Sequence, residues 1–346
     1  MKKQNIHTNE KAEKELKEIT DKLEKGIKEL FEGERYKEYL RVMSKFYRYS
    51  YNNSILIAMQ CPGASLVAGY SAWIHKFGRH VKAGEKGIRI IGYTPYRVRK
   101  EVPVADPITH KPMTDAKGKT VTESRMVEVP YYKPVYVYDV TQTEGRELPT
   151  IAAELQQNGI AGYEKLYNAI TQISPVPISF QPLDAELHGY YDLKEKRIVI
   201  REGMSELQTL KTVIHEIAHA MLHDIDLNAP KEEIEKRPDR YTREVEAESI
   251  AYAVCQYYHL DTSEYSFGYI AGWSKSKNLD ELKQSLDTIH DTAANLIGEI
   301  EERFLTEERE QTTEITDSVR DKLKDITQKK PKIQKLPSPE QEPELS

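Results

Sequence analysis

The stretch Val213-Ile214-His215-Glu216-Ile217-Ala218-His219-Ala220-Met221-Leu222-His223 contains an H-E-x-x-H motif inside an otherwise apolar run. Residues four apart lie on one face of a helix, so the spacing predicts that His215 and His219 present both imidazoles to one metal ion. Glu216 is then placed beside that ion, where its carboxylate can act as general base on a bound water molecule. A surface helix that carries two unrelated histidines would give the same sequence pattern. The apolar residues on both sides of the motif favour a buried helix instead.

A third protein ligand is predicted on the helical segment that begins at Arg243. Catalytic zinc sites commonly combine two histidines and one glutamate with an open position. Glu244 lies closest to the apolar stripe of this segment, Glu248 lies on its border and Glu246 points away. We therefore predict Glu244 as the ligand and Glu248 as either the alternative ligand or the acceptor that orients a ligating imidazole. Glu246 is predicted to lie on a solvated acidic face. His223 is predicted to support the site rather than to bind the ion, because three ligands are already available.

A β-hairpin is predicted just before the metal-binding helix. Its strands are 189–192 and 197–200, which are joined by the charged turn 193–196. A sheet edge followed at once by an H-E-x-x-H helix is the order found in zincins. The edge strand can pair with an extended peptide substrate by β-augmentation.

Composition limits the class of protein. The chain has 346 residues, a net charge of −6 and 38% hydrophobic residues, which is enough for two domains with their own cores. Two cysteines exclude a disulfide framework and favour a reducing cytoplasm. No run approaches the length of a membrane-spanning helix, and the first residues contain no apolar segment of signal-peptide length. We therefore expect a cytoplasmic protein without a membrane partner.

The fold class is predicted as α+β, with two domains and a tail. Amphipathic helices at 10–31 and 36–47 precede a strand-rich region that ends near Gly145, and Pro149 opens a linker. The predicted domains are an N-terminal module at 8–147 and a metallopeptidase domain at 155–304. The charged and proline-rich residues 305–346 are predicted to be a disordered tail.

The segment from Trp73 to Lys100 is basic and interleaved with aromatic residues. It has eight lysines and arginines against one acidic residue, Glu85, in a chain that is acidic as a whole. Cations that follow phosphates and flat side chains that stack on bases are what single-stranded nucleic acid requires. The alternative is that the aromatic residues belong to the core and the charges form a solvated face. The predicted DNA contacts are Trp73, Lys76, Arg79, Lys82, Lys86, Arg89, Tyr93, Arg97 and Arg99.

These motifs resemble those of the ArdC-type antirestriction proteins of conjugative plasmids and transposons, including the related LtrC-like proteins. The stretches 51–54, 69–73, 81–87 and 137–143 are similar to their N-terminal single-stranded-DNA-binding domain. The H-E-x-x-H motif and the E-x-x-A-E string Glu244–Glu248 are similar to their zincin-like metallopeptidase domain, which is akin to the ImmA/IrrE peptidases. The resemblance implies a mobile-element protein that protects incoming single strands of DNA. The E-x-x-A-E string also favours Glu244 and Glu248 over Glu246.

The predicted function combines single-stranded DNA binding with a Zn²⁺-dependent metalloendopeptidase that acts on an unidentified protein or peptide. Two alternatives stay open. In one, the zinc site is structural and the protein only coats DNA. In the other, the protein is a peptidase that cleaves a repressor, and the basic segment has no role in DNA binding.

Overall fold

The computed structural model describes residues 2–31, 34–106, 111–115, 117–147, 159–263 and 267–328, together with residues 109 and 265. The helices are α1 (Lys2–Leu30), α2 (Glu34–Lys45), α3 (Tyr51–Gln60), α4 (Tyr70–His75), α5 (Gly159–Gln172), α6 (Glu206–Leu222), α7 (Lys231–Ile234), α8 (Arg240–Tyr257), α9 (Ile270–Lys275) and α10 (Leu279–Gln328). The strands are β1 (Val67–Gly69), β2 (Arg79–Val81), β3 (Ile88–Tyr93), β4 (Tyr96–Pro103), β5 (Thr122–Val129), β6 (Tyr132–Asp139), β7 (Thr143–Gly145), β8 (Ile178–Gln181), β9 (Gly189–Asp192) and β10 (Arg197–Arg201). This mixture confirms the predicted α+β class.

The N-terminal region is built on an antiparallel sheet with the order β1-β6-β3. Because side chains alternate between the two faces of a strand, Ile88, Ile90 and Val137 are buried on the face covered by α1 and α3. The register pairs Arg89 with Tyr136 and Tyr93 with Tyr132 on the opposite face. Among the described strands, β4 pairs with β5 alone, so it belongs to a separate two-stranded sheet.

Two amide side chains of α3 close the free edge of β3. The Asn53 side chain donates to the carbonyl of Ile91 at 2.9 Å and accepts from its N–H at 2.9 Å. Gln60, two turns further along the helix, makes the same pair of bonds with Arg89, at 2.9 and 3.0 Å. These four bonds satisfy backbone groups that would otherwise offer the edge to another chain. They also give a physical reason for the polar corner at 51–54.

Helices from the start of the chain share a core with the helices that follow the metal-binding motif. The hydroxyl of Tyr36 on α2 lies 2.8 Å from the hydroxyl of Ser249 on α8, and both residues are buried. The ring of Phe31 contacts Trp273 with centroids 5.4 Å apart. Residues Met1–Gly298 accordingly form one compact unit. The predicted linker that opens at Pro149 lies outside the described residues.

The sheet β8-β10-β9 positions the metal-binding helix. Ile198, Val199 and Ile200 of the central strand are fully buried, whereas β9 is an edge strand. Gly189 lets β9 approach α6 closely, because a Cβ at this position would lie 2.8 Å from the Thr212 side chain and 2.9 Å from the Val199 carbonyl oxygen. At the start of α6, Ser205 accepts a hydrogen bond from the Gln208 N–H as its N-cap.

The helix α10 continues to Gln328 and therefore enters the segment predicted to be a disordered tail. Residues 299–328 contain neither proline nor glycine, so no residue in this range breaks the helix. Residues 329–346, which contain the prolines of the predicted tail, lie outside the described range. Among the described residues, no helix is both long enough and apolar enough to cross a membrane.

Candidate metal centre and nucleic-acid interface

The helices α6 and α8 pack together and bring three potential ligands to one point. The Nε2 atoms of His215 and His219 lie 3.1 Å apart. The Oε2 atom of Glu244 lies 3.7 Å from each of them. Neighbouring ligands of a four-coordinate zinc ion are about 3.3 Å apart, as follows from bonds of about 2.0–2.1 Å. Two imidazole nitrogens and one carboxylate oxygen at these separations fit a divalent metal ion.

Glu248 lies on the other side of His215. Its Oε2 atom is 3.3 Å from His215 Nδ1, the nitrogen that faces away from His219 Nε2 and Glu244. An N–H donated from Nδ1 to a carboxylate leaves the lone pair of Nε2 available for a metal ion and fixes the ring orientation. The geometry thus separates the two glutamates that the sequence left in competition, with Glu244 on the ligand side and Glu248 on the orienting side.

A chain of polar side chains connects the Nδ1 side of His219 to His223, Glu246 and Ser285. His219 Nδ1 lies 2.8 Å from His223 Nδ1, and His223 Nε2 lies 3.1 Å from Glu246 Oε2. Ser285 donates to the other oxygen of Glu246 at 2.8 Å. If His219 Nε2 binds a metal, its Nδ1–H donates to His223, whose Nε2–H donates in turn to Glu246. The prediction that Glu246 lies on a solvated face is wrong. Glu246 is only 5% exposed, because α10 supplies a hydroxyl partner that no spacing within α8 reveals.

We expect Glu246→Gln to lower the affinity for zinc about tenfold, the lower end of the effect of partners that hold ligands. The amide keeps the size of the side chain but is a weaker acceptor for the His223 N–H. Competition with a chromophoric chelator measures the change, and the exposed Glu232→Gln is the control. Equal affinities for Glu246→Gln and wild type would contradict a role of this chain in metal binding.

The charged groups of the site perturb one another strongly. Burial opposes protonation of His215, but hydrogen bonds to Glu244 and Glu248 outweigh it and raise the pKa of His215 to about 10. The same contacts with His215 and His219 hold the pKa of Glu244 well below its usual range. Burial raises the pKa of Glu216, an effect that His215 opposes and Glu244 reinforces. A buried carboxylate with a raised pKa is a stronger base than an exposed one.

Zinc binding is expected to release about one proton per ion at pH 8, because the metal-free protein holds His215 protonated up to about pH 10. The contribution of His215⁺ to the stability of the metal-free protein is complete below its ordinary pKa of 6.5 and is lost as the pH rises through about 10. The contribution of ionised Glu244 is complete above its ordinary pKa of 4.5 and is lost on acidification. Titration calorimetry in buffers of different ionisation enthalpy measures the proton count. Binding without proton release would contradict the pairing of His215 with Glu244 and Glu248.

Two cavities adjoin the site at His215 and Glu216. One, of about 380 Å³, is lined by Gln208, Lys211, Thr212, Glu248 and Tyr265. The other, of about 400 Å³, is lined by the strand residues Gly189, Tyr190 and Tyr191 and by arginines of the α8 region. Both cavities include His215 and Glu216. The Glu216 carboxylate also takes a hydrogen bond from the backbone of Tyr191 on the edge strand β9.

The predicted DNA contacts separate into different groups. Trp73 is fully buried and donates its indole N–H to the Tyr138 carbonyl at 2.9 Å, so its prediction as a stacking residue is wrong. The apolar bulk of the indole fills the core between α4 and β6. Arg79 on β2 donates to the hydroxyl and the carbonyl of Thr143 on β7 and to the carbonyl of Arg146, which follows β7. These bonds join β2 to β7. Its guanidinium is thus engaged in hydrogen bonds within the fold and is not freely exposed to solvent.

The remaining predicted contacts are not all on one surface. Arg89 and Tyr93 lie on the outer face of β3, and Lys86 lies in the exposed turn that precedes it. Lys82 is exposed and donates to the Thr141 carbonyl at 2.9 Å. Arg97 and Arg99 are exposed on the separate β4-β5 sheet, where Arg97 lies 3.6 Å from Glu128. Lys76 is exposed beside α4.

The sequence reasoning missed three tyrosines on β6 that join Tyr93 on one face. We call Tyr93, Tyr132, Tyr136 and Tyr138 the tyrosine face. Tyr93, Tyr132 and Tyr136 are each 51–53% exposed, and the rings of Tyr93 and Tyr132 are 5.3 Å apart. A Cβ on Gly87 would lie 3.1 Å from both Tyr136 and Tyr138, so the basic turn passes directly against this face. The alternation of tyrosines along β6 was the signal that could have identified it.

The arrangement of His215, Glu216 and His219 on a buried helix, with Glu244 from the next long helix and an edge strand beside the site, is that of a zincin-like, peptidase-like domain. Residues 173–259 match the family model of the IrrE N-terminal-like domain, peptidase family M78. Residues 9–138 match the family model of the N-terminal domain of anti-restriction factor ArdC. The chain is therefore ArdC-like, with an ArdC N-terminal domain followed by a peptidase-like domain, which confirms the predicted resemblance.

An uncharacterized protein of Bacillus anthracis is 32% identical over 343 residues. The alignment covers 90% of this chain but 56% of the relative, so the chain spans about half the length of that protein. Two crystal structures of the antirestriction ArdC protein from the R388 plasmid also align, one metal-free and one Mn(II)-bound. Their TM-scores are 0.43 and 0.42, at 16% and 17% identity, over 74% of this chain and 85% and 84% of theirs.

Proposed function

We propose that the protein binds single-stranded DNA through its N-terminal domain and hydrolyses peptide bonds with a zinc-dependent C-terminal domain, as an antirestriction-type protein of a mobile element. The observation that carries the peptidase half is the convergence of His215, His219 and Glu244 with Glu216 beside them. The match to the ArdC N-terminal domain supports the DNA-binding half.

The donor set favours zinc, since imidazole nitrogen and carboxylate oxygen in a two-to-one ratio are typical of catalytic zinc sites. When bound, zinc supplies Lewis acidity that polarises a carbonyl and acidifies water. His215, His219 and Glu244 would hold the ion. Glu216 would take the proton from the attacking water and pass it to the leaving amine.

The edge strand β9 is suited to hold an extended polypeptide. It pairs with β10 on one side, while its residues line the cavity that contains Glu216 on the other. Main-chain hydrogen bonds to such an edge align a substrate without regard to its side chains. The contact between the Tyr191 backbone and Glu216 couples this strand to the general base.

An open site favours the peptidase over a purely structural metal. Structural zinc sites have four protein ligands and are closed. Among the described residues, three potential ligands form a group, and cavities of about 380 and 400 Å³ adjoin it. The DNA-coating alternative therefore leaves Glu216 and both cavities without a role.

The tyrosine face is our proposed DNA contact, in place of the full set predicted from sequence. The rings of Tyr93, Tyr132 and Tyr136 are about half exposed on the sheet, and Arg89 lies directly across from Tyr136. Stacking on tyrosines tolerates any base, and nearby cations hold the phosphates. Lys82 and Lys86 in the turn beside the face supply further positive charge. Trp73 and Arg79 are left out because the fold already uses them.

The double substitution Tyr132→Ala/Tyr136→Ala is expected to weaken binding of a single-stranded oligonucleotide at least tenfold. Each stacked base is worth about 1–3 kcal/mol by alanine substitution. Fluorescence anisotropy with an oligothymidine measures the effect, and duplex DNA should bind more weakly than the single strand. Tyr241→Ala is the matched control, because Tyr241 is 73% exposed but lies on α8. Unchanged binding in the double variant, or equal affinity for duplex, would contradict the proposed interface.

A further inference from the structure

Three arginines form one wall of the cavity that contains the metal ligands. Arg237, Arg240 and Arg243 line it together with His215, Glu216, Glu244 and residues of β9. We call them the arginine wall. Arg237 precedes α8, whereas Arg240 and Arg243 lie in its first turn, so the fold brings them together on one side of the cleft.

The arginine wall has no carboxylate partners among the described residues. Arg237 donates to the carbonyl of His223 at 2.5 Å and Arg243 to the carbonyl of Pro238 at 2.7 Å, which are both neutral acceptors. Within the part of the chain that the structure describes, the buried Nε–H of Arg237 has no acceptor. Burial, together with the positive charge of Arg243, lowers the pKa of Arg237, and the negative charge of Asp224 opposes this shift without reversing it. Arg237 and Arg243 therefore repel each other, and Arg237 keeps an unused donor among the described residues.

The acidic groups nearest to the wall are engaged elsewhere. Asp224 is paired with Lys196 and accepts from the Tyr191 hydroxyl at 2.8 Å. Asp239 caps α8 and is paired with Lys277. Glu244, which also lines the cavity, faces the two histidines. The positive charge of the wall is thus left for a ligand.

We propose that the arginine wall binds acidic side chains of the polypeptide that the C-terminal domain cleaves. This inference rests on the proposed peptidase function and names its substrate class as acidic polypeptide. A guanidinium binds a carboxylate through two parallel hydrogen bonds, which an uncharged side chain cannot reproduce. Nucleic acid phosphate would satisfy the same donors. Polypeptide is favoured because the wall shares its cavity with Glu216 and with an edge strand suited to an extended peptide.

The proposal is tested by measuring the binding of peptides to a variant that is expected not to hydrolyse them. The protein is the full chain carrying Glu216→Gln and loaded with zinc. The probes are two fluorescein-labelled decapeptides, one alternating glutamate with alanine and one alternating glutamine with alanine. We expect the glutamate peptide to bind about tenfold more tightly. Arg240→Gln/Arg243→Gln should remove this preference, whereas the matched control Lys231→Gln/Lys236→Gln, which removes the same charge from α7 and its flank, should keep it.

Either of two binding results would overturn the proposal. One is equal or undetectable binding of both peptides to the parent protein. The other is displacement of the glutamate peptide by an oligothymidine whose affinity falls in Arg240→Gln/Arg243→Gln but not in Tyr132→Ala/Tyr136→Ala. The arginine wall would then bind nucleic acid. Hydrolysis by wild type is measured separately on a peptide library. Cleavage without a preference for acidic residues contradicts only the arginine wall, whereas arginine-dependent binding without any cleavage contradicts only the peptidase.

Discussion

Glu216→Gln is expected to reduce peptide-bond hydrolysis about 10²- to 10⁴-fold, the usual contribution of a general base. The carboxylate is buried beside His215, and its pKa is raised, so it is a base of adequate strength that lies in the cleft. Glutamine preserves the size of the side chain and accepts the Tyr191 hydrogen bond, but it cannot accept a proton. The rate is measured on a fluorogenic peptide library, and metal content is measured alongside it.

Three controls separate this effect from others. Glu232→Gln on α7 removes an exposed carboxylate and should hydrolyse at the wild-type rate. Removal of zinc with a chelator should abolish activity, and added zinc should restore it. Binding of the oligothymidine should be the same for Glu216→Gln and wild type. Full activity in Glu216→Gln would contradict the proposed mechanism. A wild type that cleaves nothing but protects DNA as well as Glu216→Gln does would favour the DNA-coating alternative.

Glu244→Ala is expected to remove zinc from the purified protein, from one ion per chain to nearly none. The carboxylate faces the Nε2 atoms of both histidines and is the third member of the ligand group. Glu248→Ala should instead retain zinc with about 10- to 100-fold lower affinity, because that side chain orients the His215 ring from the Nδ1 side.

Atomic absorption of the two variants beside wild type makes this comparison. Thermal melting in the presence of a chelator shows whether each variant still folds, since Glu244 is 47% exposed and its loss should cost the metal-free fold little. Loss of zinc from Glu248→Ala but not from Glu244→Ala would reverse the assignment of the two glutamates.

The spacing of residues in the sequence was sufficient to predict the parts of the site that lie on one helix. The i, i+4 rule predicted that His215 and His219 share a face, and the apolar flanks indicated that α6 is buried. Helix geometry also ranked Glu244 over Glu248 as the predicted ligand, and Glu244 is the glutamate whose Oε2 lies 3.7 Å from Nε2 of both histidines. The α+β class followed from helical and alternating patterns that are both strong in this chain.

The incorrect or missing predictions concern residues whose surroundings are set by elements that are distant in the sequence. Glu246 looked solvated because its two partners, His223 and Ser285, come from other helices. Trp73 looked like a stacking residue because composition does not tell which face of a short helix meets the core. The edge-closing role of Asn53 and Gln60 and the arginine wall likewise depend on tertiary contacts that no sequence window contains.

An anomalous difference map at the zinc absorption edge tests the metal centre most directly. Crystals of the wild-type protein loaded with zinc should show one peak within about 2.0–2.2 Å of His215 Nε2, His219 Nε2 and a Glu244 oxygen, with Glu248 at His215 Nδ1. A peak bound by Glu248 in place of Glu244, or no peak at the two histidines, would contradict this metal centre.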